Sequence, residues 1–593
     1  MSSRARHCKD VHIRPRLGFE GRRCRPLDLP MGVRHQRCAT GPHLTEVAEH
    51  LDLQICFGEA SLEQQILEPG IRHVYVFDRS DPPRYPLRYA GCMLGVILTT
   101  ALSAQPNIVF FLSDDHACRA VGAYGSTINE TPHIDRLAAE GATFDRAFCN
   151  NAICAPSRAA FLTGVHGYVN GVENNGHRFD GSQPTIASLL RDAGYTTAMI
   201  GKWHLKSDPV GFDYWDILPG QGQYYAPDFR TSEGPRRVPG HVTEITTDLS
   251  LAWLDAQRDS DKPFMLMMNQ KAPHRAWMPA PEHLDLYEDA DIPAPDSLLD
   301  DHSRRGAAAN QQEMEIANHM WLWYDLKIDP EPGTTLTGPD TWASGRYERM
   351  SEDQRAAWRK AYGPRNAAFN AADLQGDALI RAKYQRYIKD YLRCVAGVDD
   401  SVGRVLDWLD EHDLARNTIV IYASDQGFFL GEQGWYDKRF MNDPAVRLPL
   451  LVRWPGVTPP GSRVDAVVQN IDVLPTLCAA AGVAVPDRVQ GRDLTPLLQG
   501  QTPEDWREAV YYRYMEQGIH NVPPHEGVRT SRYALIHWPT HGEWELFDLE
   551  TDPDEVHNVY DDACFAAVRT IMHETLDQVR EISDAPDMAL GAE

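Results

Sequence analysis

The sequence predicts an α/β fold: a mostly parallel, partly mixed sheet sandwiched by helices, with a smaller C-terminal subdomain containing an antiparallel sheet. Three observations carry this. From Gln105 to about residue 507, strand-length apolar runs alternate with amphipathic helical ones, the pattern of strands joined by crossover helices. In four places the residues just past such a strand are charged or bear histidine, and ligands of open α/β sheets bind at that carboxyl edge. Past Glu508 the texture changes to "VYYRYM", "GVRTSRYALIHW" and "EWELFDLETDP", short runs that suit antiparallel strands.

The elements follow in order. "NIVFFLS" reads as a buried strand that ends at Asp114, Asp115 and His116. "TPHIDRLAAEG" reads as a helix, with Thr131 as cap, Pro132 at its first position and Gly141 as its stop. "CAPSRAAFLTG" places Cys154 just before a helix that Pro156 opens and Gly164 ends. The N–H groups of a helix N-terminus attract anions, and Arg158 lies one turn along, so this is a place to hold an oxyanion. "PTIASLLRDAG" is a second capped helix, followed by strand "YTTAMIG" and then Lys202 and His204. A helix near 243–258 precedes strand "PFMLMMNQ", which runs into Lys271 and His274. A long helix over roughly 380–411 leads to strand "TIVIYAS", then Asp425 and Gln426, and "LPLLVRW" is a further strand. Residues 285–375 interrupt the rhythm with polar, turn-rich chain and the aromatics Trp321, Trp323, Tyr324 and Trp342, and are expected to form an insertion near the site.

Residues 1–84 differ from the rest, with an Arg-rich start and no clear period. Arg84 and Arg88 then flank an apolar run from Ala90 to Leu102, followed by Ser103 and Ala104. That is a signal peptide over 85–104, too short for a comfortable membrane span, with a mature chain starting near Gln105. An over-extended reading frame explains its internal position; a membrane-anchored N-terminal domain is the alternative. The expected divisions are therefore 1–84, 85–104, a catalytic domain over 105–507 and a C-terminal subdomain over 508–593. The localisation expected is export, to the periplasm or outside the cell.

At 593 residues and 42% hydrophobic content the chain can bury a large core. A formal net charge of -26 argues against a nucleic-acid partner, yet leaves room for a local basic pocket. The eleven cysteines show no zinc spacing, and no disulfide is expected between Cys149 and Cys154. Asp114, Asp115, Asp425 and Gln426 offer hard oxygen ligands from two strand ends, which suit Ca²⁺ or Mg²⁺ better than Zn²⁺. Arg158, Lys202, His204, His274 and Lys438 supply cations and transferable protons. Together these groups make a receptor for a tetrahedral oxyanion ester.

At this point the residues resemble a family. Cys154-Ala155-Pro156-Ser157-Arg158 with Leu162-Thr163-Gly164 resembles the signature of the type I formylglycine-dependent sulfatases, and "GKWHL" at 201–205 resembles their second signature. The likeness runs from about Asn107 to about Tyr560. It implies an alkaline-phosphatase-like fold and a maturation enzyme that oxidises Cys154 to formylglycine, whose hydrate supplies the nucleophile. It implies Ca²⁺ held by Asp114, Asp115, Asp425, Gln426 and the modified Cys154, although family members often carry Asn where Gln426 stands. Arg158 would polarise the nucleophile, Lys202 and Lys438 would grip sulfate, His274 would protonate the leaving alcohol, and His204 would take the proton that releases sulfate.

"KAPHRAWMPAPEHL" and "SDQGFFLGEQGWYDKRFM" look most like bacterial carbohydrate sulfatases of the N-acetylglucosamine-6-sulfatase and polysaccharide sulfatase group. The resemblance thus implies a sulfated glycosaminoglycan or algal saccharide as substrate. Specificity is expected from Trp277, the loop 215–232, the insertion, and His520, His525 and Arg529. The sequence leaves two alternatives: a formylglycine-dependent phosphonate monoester or phosphodiester hydrolase, and a non-catalytic glycan-binding relative. It does not define the oligomeric state.

Overall fold

The computed structural model describes residues 105–588. The extension expected over 1–84 and the signal peptide expected over 85–104 lie outside them. Five parallel strands form the centre of a ten-stranded sheet: Thr418–Ser424, Asn107–Ser113, Phe264–Asn269, Thr196–Lys202 and Tyr214–Leu218, in that spatial order. Leu450–Arg453 runs antiparallel beside the first and joins Ala142–Phe144 and Ser462–Val464 at that edge. The antiparallel hairpin Asp228–Thr231 and Gly234–Arg237 closes the other.

The central strand shows why the sheet is covered on both faces. Every residue of Asn107–Ser113 is buried. Ile108, Phe110 and Leu112 enter one apolar core, whereas Val109 and Phe111 enter another. Alternation sends successive side chains to opposite faces, so an unbroken apolar run needs a helical layer on each. Cys154–Thr163, Ile186–Asp192 and Val473–Ala481 cover one face; Pro132–Glu140, Val242–Gln257 and the 36-residue Gly376–Glu411 cover the other.

Local capping departs from expectation in one place. Thr131 occupies the N-cap of Pro132–Glu140 but makes no side-chain cap. Its hydroxyl donates to Asp135 Oδ1 and accepts from the Gly122 N–H. Asp399 of the long helix caps instead, accepting from the N–H groups of His133 and Ile134. Residues 340–372 also depart from the turn-rich expectation, forming helices Asp340–Tyr347 and Glu352–Ala372 with Trp358 and Tyr362 buried beneath them. The Gly363-Pro364 pair masks the second helix in the sequence, yet Pro364 sits inside it.

The C-terminal sheet pairs Ala509–Tyr514, His525–Thr530, Tyr533–Trp538 and Glu543–Asp548 in antiparallel order. Tyr511, Val528, Leu535 and Leu546 pack beneath the helix Ala566–Ile582. Tyr512, Tyr514, Ile536, Trp538 and Phe547, on the opposite face, belong to the main core.

This corrects the assignment of His525 and Arg529 to the substrate. The His525 ring is fully buried, 4.2 Å from the Trp538 ring and close to Tyr512, Tyr514 and Phe440. Arg529 is buried with Glu555, 3.0 Å away, and Asp443. It lines a cleft of about 330 Å³ that no predicted catalytic residue lines. Both side chains are structural because the strand that carries them is covered on both faces.

Burial pushes the imidazoles of His525 and His241 down to about 4. An unfolded histidine titrates near 6.5, so between these values the unfolded chain takes up protons that the fold refuses. The stability from keeping each ring neutral is full above about pH 6.5 and falls as pH drops toward 4, by about 3 kcal/mol per ring. Denaturant unfolding between pH 4 and 7 should show this decline, and His525→Phe should flatten it.

Candidate functional site

The sheet's register assembles the site. Ser113 pairs with Ser424, so Asp114 and Asp425 leave the sheet side by side at its carboxyl edge. Asp115 turns back at φ 68°, and its N–H donates to Asp425 Oδ1 at 3.2 Å. Two strands beyond Asn107–Ser113, Gly201, at φ 105°, pairs with Asn269; a Cβ there would lie 2.0 Å from the Asn269 carbonyl oxygen. Only glycine fits this approach, which sets the direction of Lys202. His204, Asp437 and Arg439 also hold positive φ. Such backbone costs roughly 1–3 kcal/mol per residue and persists where surrounding structure fixes a site.

Cys154 is the first residue of its helix, not the residue before it. Its Sγ lies 3.3 Å from Asp114 Oδ1 and 3.6 Å from Lys202 Nζ. Cys149 and Cys154 are both free. Burial, then Asp114, pushes the Cys154 thiol well above its ordinary range, so the unmodified side chain is a poor nucleophile. Arg158 Nε donates to Asp425 Oδ2 at 2.9 Å and one terminal nitrogen to the Lys202 carbonyl at 2.8 Å. Its other terminal nitrogen pairs with Asp425 at 2.9 Å and lies 3.8 Å from Asp114. The Ser157 hydroxyl donates to the Asp425 carbonyl and accepts from Asn470 at 2.9 Å.

The cations face the carboxylates in matched pairs. Lys202 Nζ contacts Asp114 and donates to Gln221 Oε1 at 2.5 Å; Lys438 Nζ bridges both oxygens of Asp115 at 2.6 and 2.7 Å. His274 Nε2 lies 3.8 Å from Asp115 Oδ2. Its Nδ1 faces the Arg275 carbonyl at 2.6 Å, and a carbonyl only accepts, so that nitrogen carries the proton. His204 Nδ1 is buried without a hydrogen-bond partner. Burial, then Lys202, holds both imidazoles well below the usual range.

Burial raises the acids, and their neighbours separate them. Lys202, helped by His274, Arg158 and Lys438, overcomes burial and holds Asp114 well below the carboxylate range. Burial against the pull of Lys438, with repulsion from Asp114, leaves Asp115 near 6. Burial and Asp114 push Asp425 to about 7, against Arg158. One oxygen from each of the three carboxylates lies within 4.8 Å of the others. Gln426 donates its Nε2 to Asp115 and leaves Oε1 buried without a partner. Converging hard oxygens, two of them on acids that resist ionisation, fit a divalent cation.

The sequence missed neighbours whose signal lay beside residues it named. Arg275, next to His274, forms a bidentate pair with Asp325 at 2.6 Å to each oxygen. Asp437 and Arg439 flank Lys438 and pair at 3.1 Å. Of the residues expected to confer specificity, His520 does reach this rim: its Nε2 lies 3.4 Å from Asp437 Oδ2 and 3.4 Å from Arg275. Gln221 and Tyr224 of the 215–232 loop also touch site residues, Tyr224 by donating to the His274 carbonyl at 2.6 Å. Trp277 does not. It is fully buried against Tyr387, Phe428 and Tyr436, and so anchors the loop after His274 without forming a sugar-facing surface.

An α/β sheet whose carboxyl edge joins an acidic metal cradle to paired lysines, an arginine and two histidines defines a hydrolase of oxyanion esters. The sulfatase family profile matches residues 106–483, and that of the N-sulphoglucosamine sulphohydrolase C-terminal region matches 431–582. The chain belongs to the sulfatase family and is a sulfuric ester hydrolase. It is 43% identical over 485 residues to an N-acetylglucosamine-6-O-sulfatase of Bacteroides thetaiotaomicron, covering 80% of this chain and 86% of that one. A solved structure of a protein with its substrate D-glucosamine-2-N,6-O-disulfate superposes with a TM-score of 0.78 at 42% identity, covering 82% of this chain and 99% of that one. The phosphonate monoester hydrolase of Agrobacterium radiobacter, at 21% identity and a TM-score of 0.57, shares the fold over 81% of this chain and 96% of its own.

A cation held among Asp114, Asp115 and Asp425 must stabilise the folded protein. An ion at 100 times its Kd adds about 2.7 kcal/mol. Thermal unfolding of chelated protein should therefore shift upward on adding Ca²⁺ or Mg²⁺, and Asp425→Asn should weaken the shift.

Proposed function

We propose that the protein removes sulfate from a sulfated saccharide, and that a 6-O-sulfated glucosamine derivative is its substrate. The observation that carries this is Cys154 at the start of a helix, between the Asp114 carboxylate and the Lys202 ammonium. The 43% identity to an N-acetylglucosamine-6-O-sulfatase supports the sugar class. Oxidised to formylglycine by a maturation enzyme, position 154 supplies a hydrated aldehyde as nucleophile where the thiol itself is disfavoured. Asp114, Asp115, Asp425 and Gln426 Oε1 would hold Ca²⁺, with Mg²⁺ as the alternative, and the ion would supply positive charge to the site.

The remaining work falls to side chains. Arg158, fixed by Asp425, directs charge at position 154. Lys202 and Lys438 approach from the sides of Asp114 and Asp115 and clamp the sulfate oxygens between them. His274 presents Nε2 to the ester. Burial, then Lys202, holds its imidazole neutral, and the negative charge of a sulfate ester acts in the opposite sense, favouring the imidazolium that can protonate a sugar alkoxide. His204 takes the proton that accompanies sulfate release. Asp437, Arg439 and His520 form a polar rim next to Lys438 and bind sugar hydroxyls. Export through the segment 85–104 places the enzyme where extracellular glycans are degraded.

The test is sulfate release from N-acetylglucosamine 6-sulfate by matured protein, compared with a phosphonate monoester. Sulfate release that Cys154→Ala abolishes in a folded protein is the expected result; preferential phosphonate turnover would overturn the assignment. His274→Ala should lose about 10²- to 10⁴-fold on the sugar sulfate and much less on a nitrophenyl sulfate, whose leaving group needs no proton. Equal losses would leave His274 as a binding residue.

A further inference from the structure

Almost every cation around the site has its own carboxylate. Lys202 has Asp114, Lys438 has Asp115, Arg158 has Asp425, Arg275 has Asp325 and Arg439 has Asp437. Two do not. Lys271, three residues before His274, is 1% exposed, yet no carboxylate among the described residues forms an ion pair with it. Its Nζ lies 4.8 Å from the centroid of the Tyr224 ring. The Tyr224 hydroxyl donates to the His274 carbonyl, so the surface beneath Lys271 is tied to the proposed leaving-group histidine. Arg346, half-buried in the last turn of Asp340–Tyr347, likewise lacks a carboxylate partner among the described residues. It donates to the Tyr324 hydroxyl at 2.6 Å and lies 4.3 Å from that ring, which also faces Arg275.

A buried ammonium without a paired counter-charge is costly. Lys271 and Arg346 each rest on a tyrosine that touches the 274–275 segment, Tyr224 through the His274 carbonyl and Tyr324 through the Arg275 guanidinium. Burial, then Lys202 and Arg346, pushes the Lys271 ammonium down to about 7 against the pull of Asp114 and Asp115, and an added anion would reverse that push. The chain's net charge of -26 repels free anions, so a basic patch here has to be built locally and filled by a ligand that other contacts hold.

We propose that Lys271 and Arg346 form a second anion subsite, which binds a carboxylate or second sulfate carried by the same saccharide whose ester is cleaved. This rests on the carbohydrate sulfatase reading. The insertion then has a defined role: it brings Tyr324, with Arg346 on it, against Arg275 next to His274, and so selects substrates with two anionic groups.

The experiment compares kcat/KM for three substrates: N-acetylglucosamine 6-sulfate, glucosamine 2-N,6-O-disulfate, and a disaccharide joining the 6-sulfated sugar to a uronic acid. Arg346→Gln and Lys271→Gln should each lower the ratio of a doubly anionic substrate to the monosulfated one by about 10- to 100-fold. The substrate whose ratio falls identifies the group bound. Unchanged ratios for both doubly anionic substrates in folded Arg346→Gln would overturn the subsite, and this half-exposed position decides the matter should Lys271→Gln fail to fold. Wild-type protein that releases sulfate from none of the three would overturn the carbohydrate reading and the subsite with it.

Discussion

The opposition between Asp114, Asp115 and Asp425 and their cations governs this molecule. All three acids are fully buried, within reach of one another. Unpaired, such a cluster is strongly unfavourable, because burial removes hydration and proximity adds repulsion. The fold counters this with three cations, one bonded to each acid, and with backbone and side-chain donors such as the Asp115 N–H on Asp425. The division is unequal: Asp114 remains an anion, whereas Asp115 and Asp425 are pushed toward neutrality. Burial is the largest cause of that push, and a divalent ion among the three acids would favour their ionised forms. The site is therefore a preorganised electrostatic field whose cost the surrounding core must carry.

That core carries it through geometry set far from the chemistry. Parallel register places Asp114 beside Asp425, and Gly201 lets its own strand approach Asn269 closely, which sets the direction of Lys202. Left-handed backbone at Asp115, His204, Asp437 and Arg439 turns side chains back over the sheet edge where an extended chain would carry them away. These residues belong to separate loops, so no single segment could form the site alone.

Much of this was legible in the sequence because short-range chemistry encodes it. Strand-end pairs such as Asp114-Asp115 and Asp425-Gln426 stand at the junction of an apolar run and a polar loop, and the Cys-x-Pro-Ser-Arg pattern is local and specific. Trp277, His525 and Arg529 failed for the opposite reason. An aromatic, a histidine or an arginine near a motif looks functional, but its exposure depends on what packs against it from other strands and loops, often at a distance in the chain. His525 is enclosed by Phe440 and Trp538, and Trp277 by Tyr387 and Tyr436. The same distance hid Asp325 as the partner of Arg275 and Asp399 as the cap of Pro132–Glu140. The helix Glu352–Ala372 was hidden by Gly363-Pro364, whose local preference loses to the burial of Trp358 and Tyr362.

The C-terminal sheet shows how far the site's support extends. The Tyr512 hydroxyl accepts from the Ala152 N–H, just before the helix that begins at Cys154, and donates to the Arg439 carbonyl, just after Lys438. Arg513 N–H donates to the Asn150 carbonyl, and Arg439 itself contacts Tyr514 and Glu516. One edge strand thus ties the loop before Cys154 to the loop that presents Lys438 through the face that packs on the main core, while Tyr511 on its other face packs beneath Ala566–Ile582. A separate module appended to a finished enzyme would leave those backbone groups to water and let both loops relax. Here those backbone groups are held by the sheet, so the loops that carry Cys154 and Lys438 depend on the C-terminal fold, and the ion-paired Asp437, Arg439 and His520 lie along the seam.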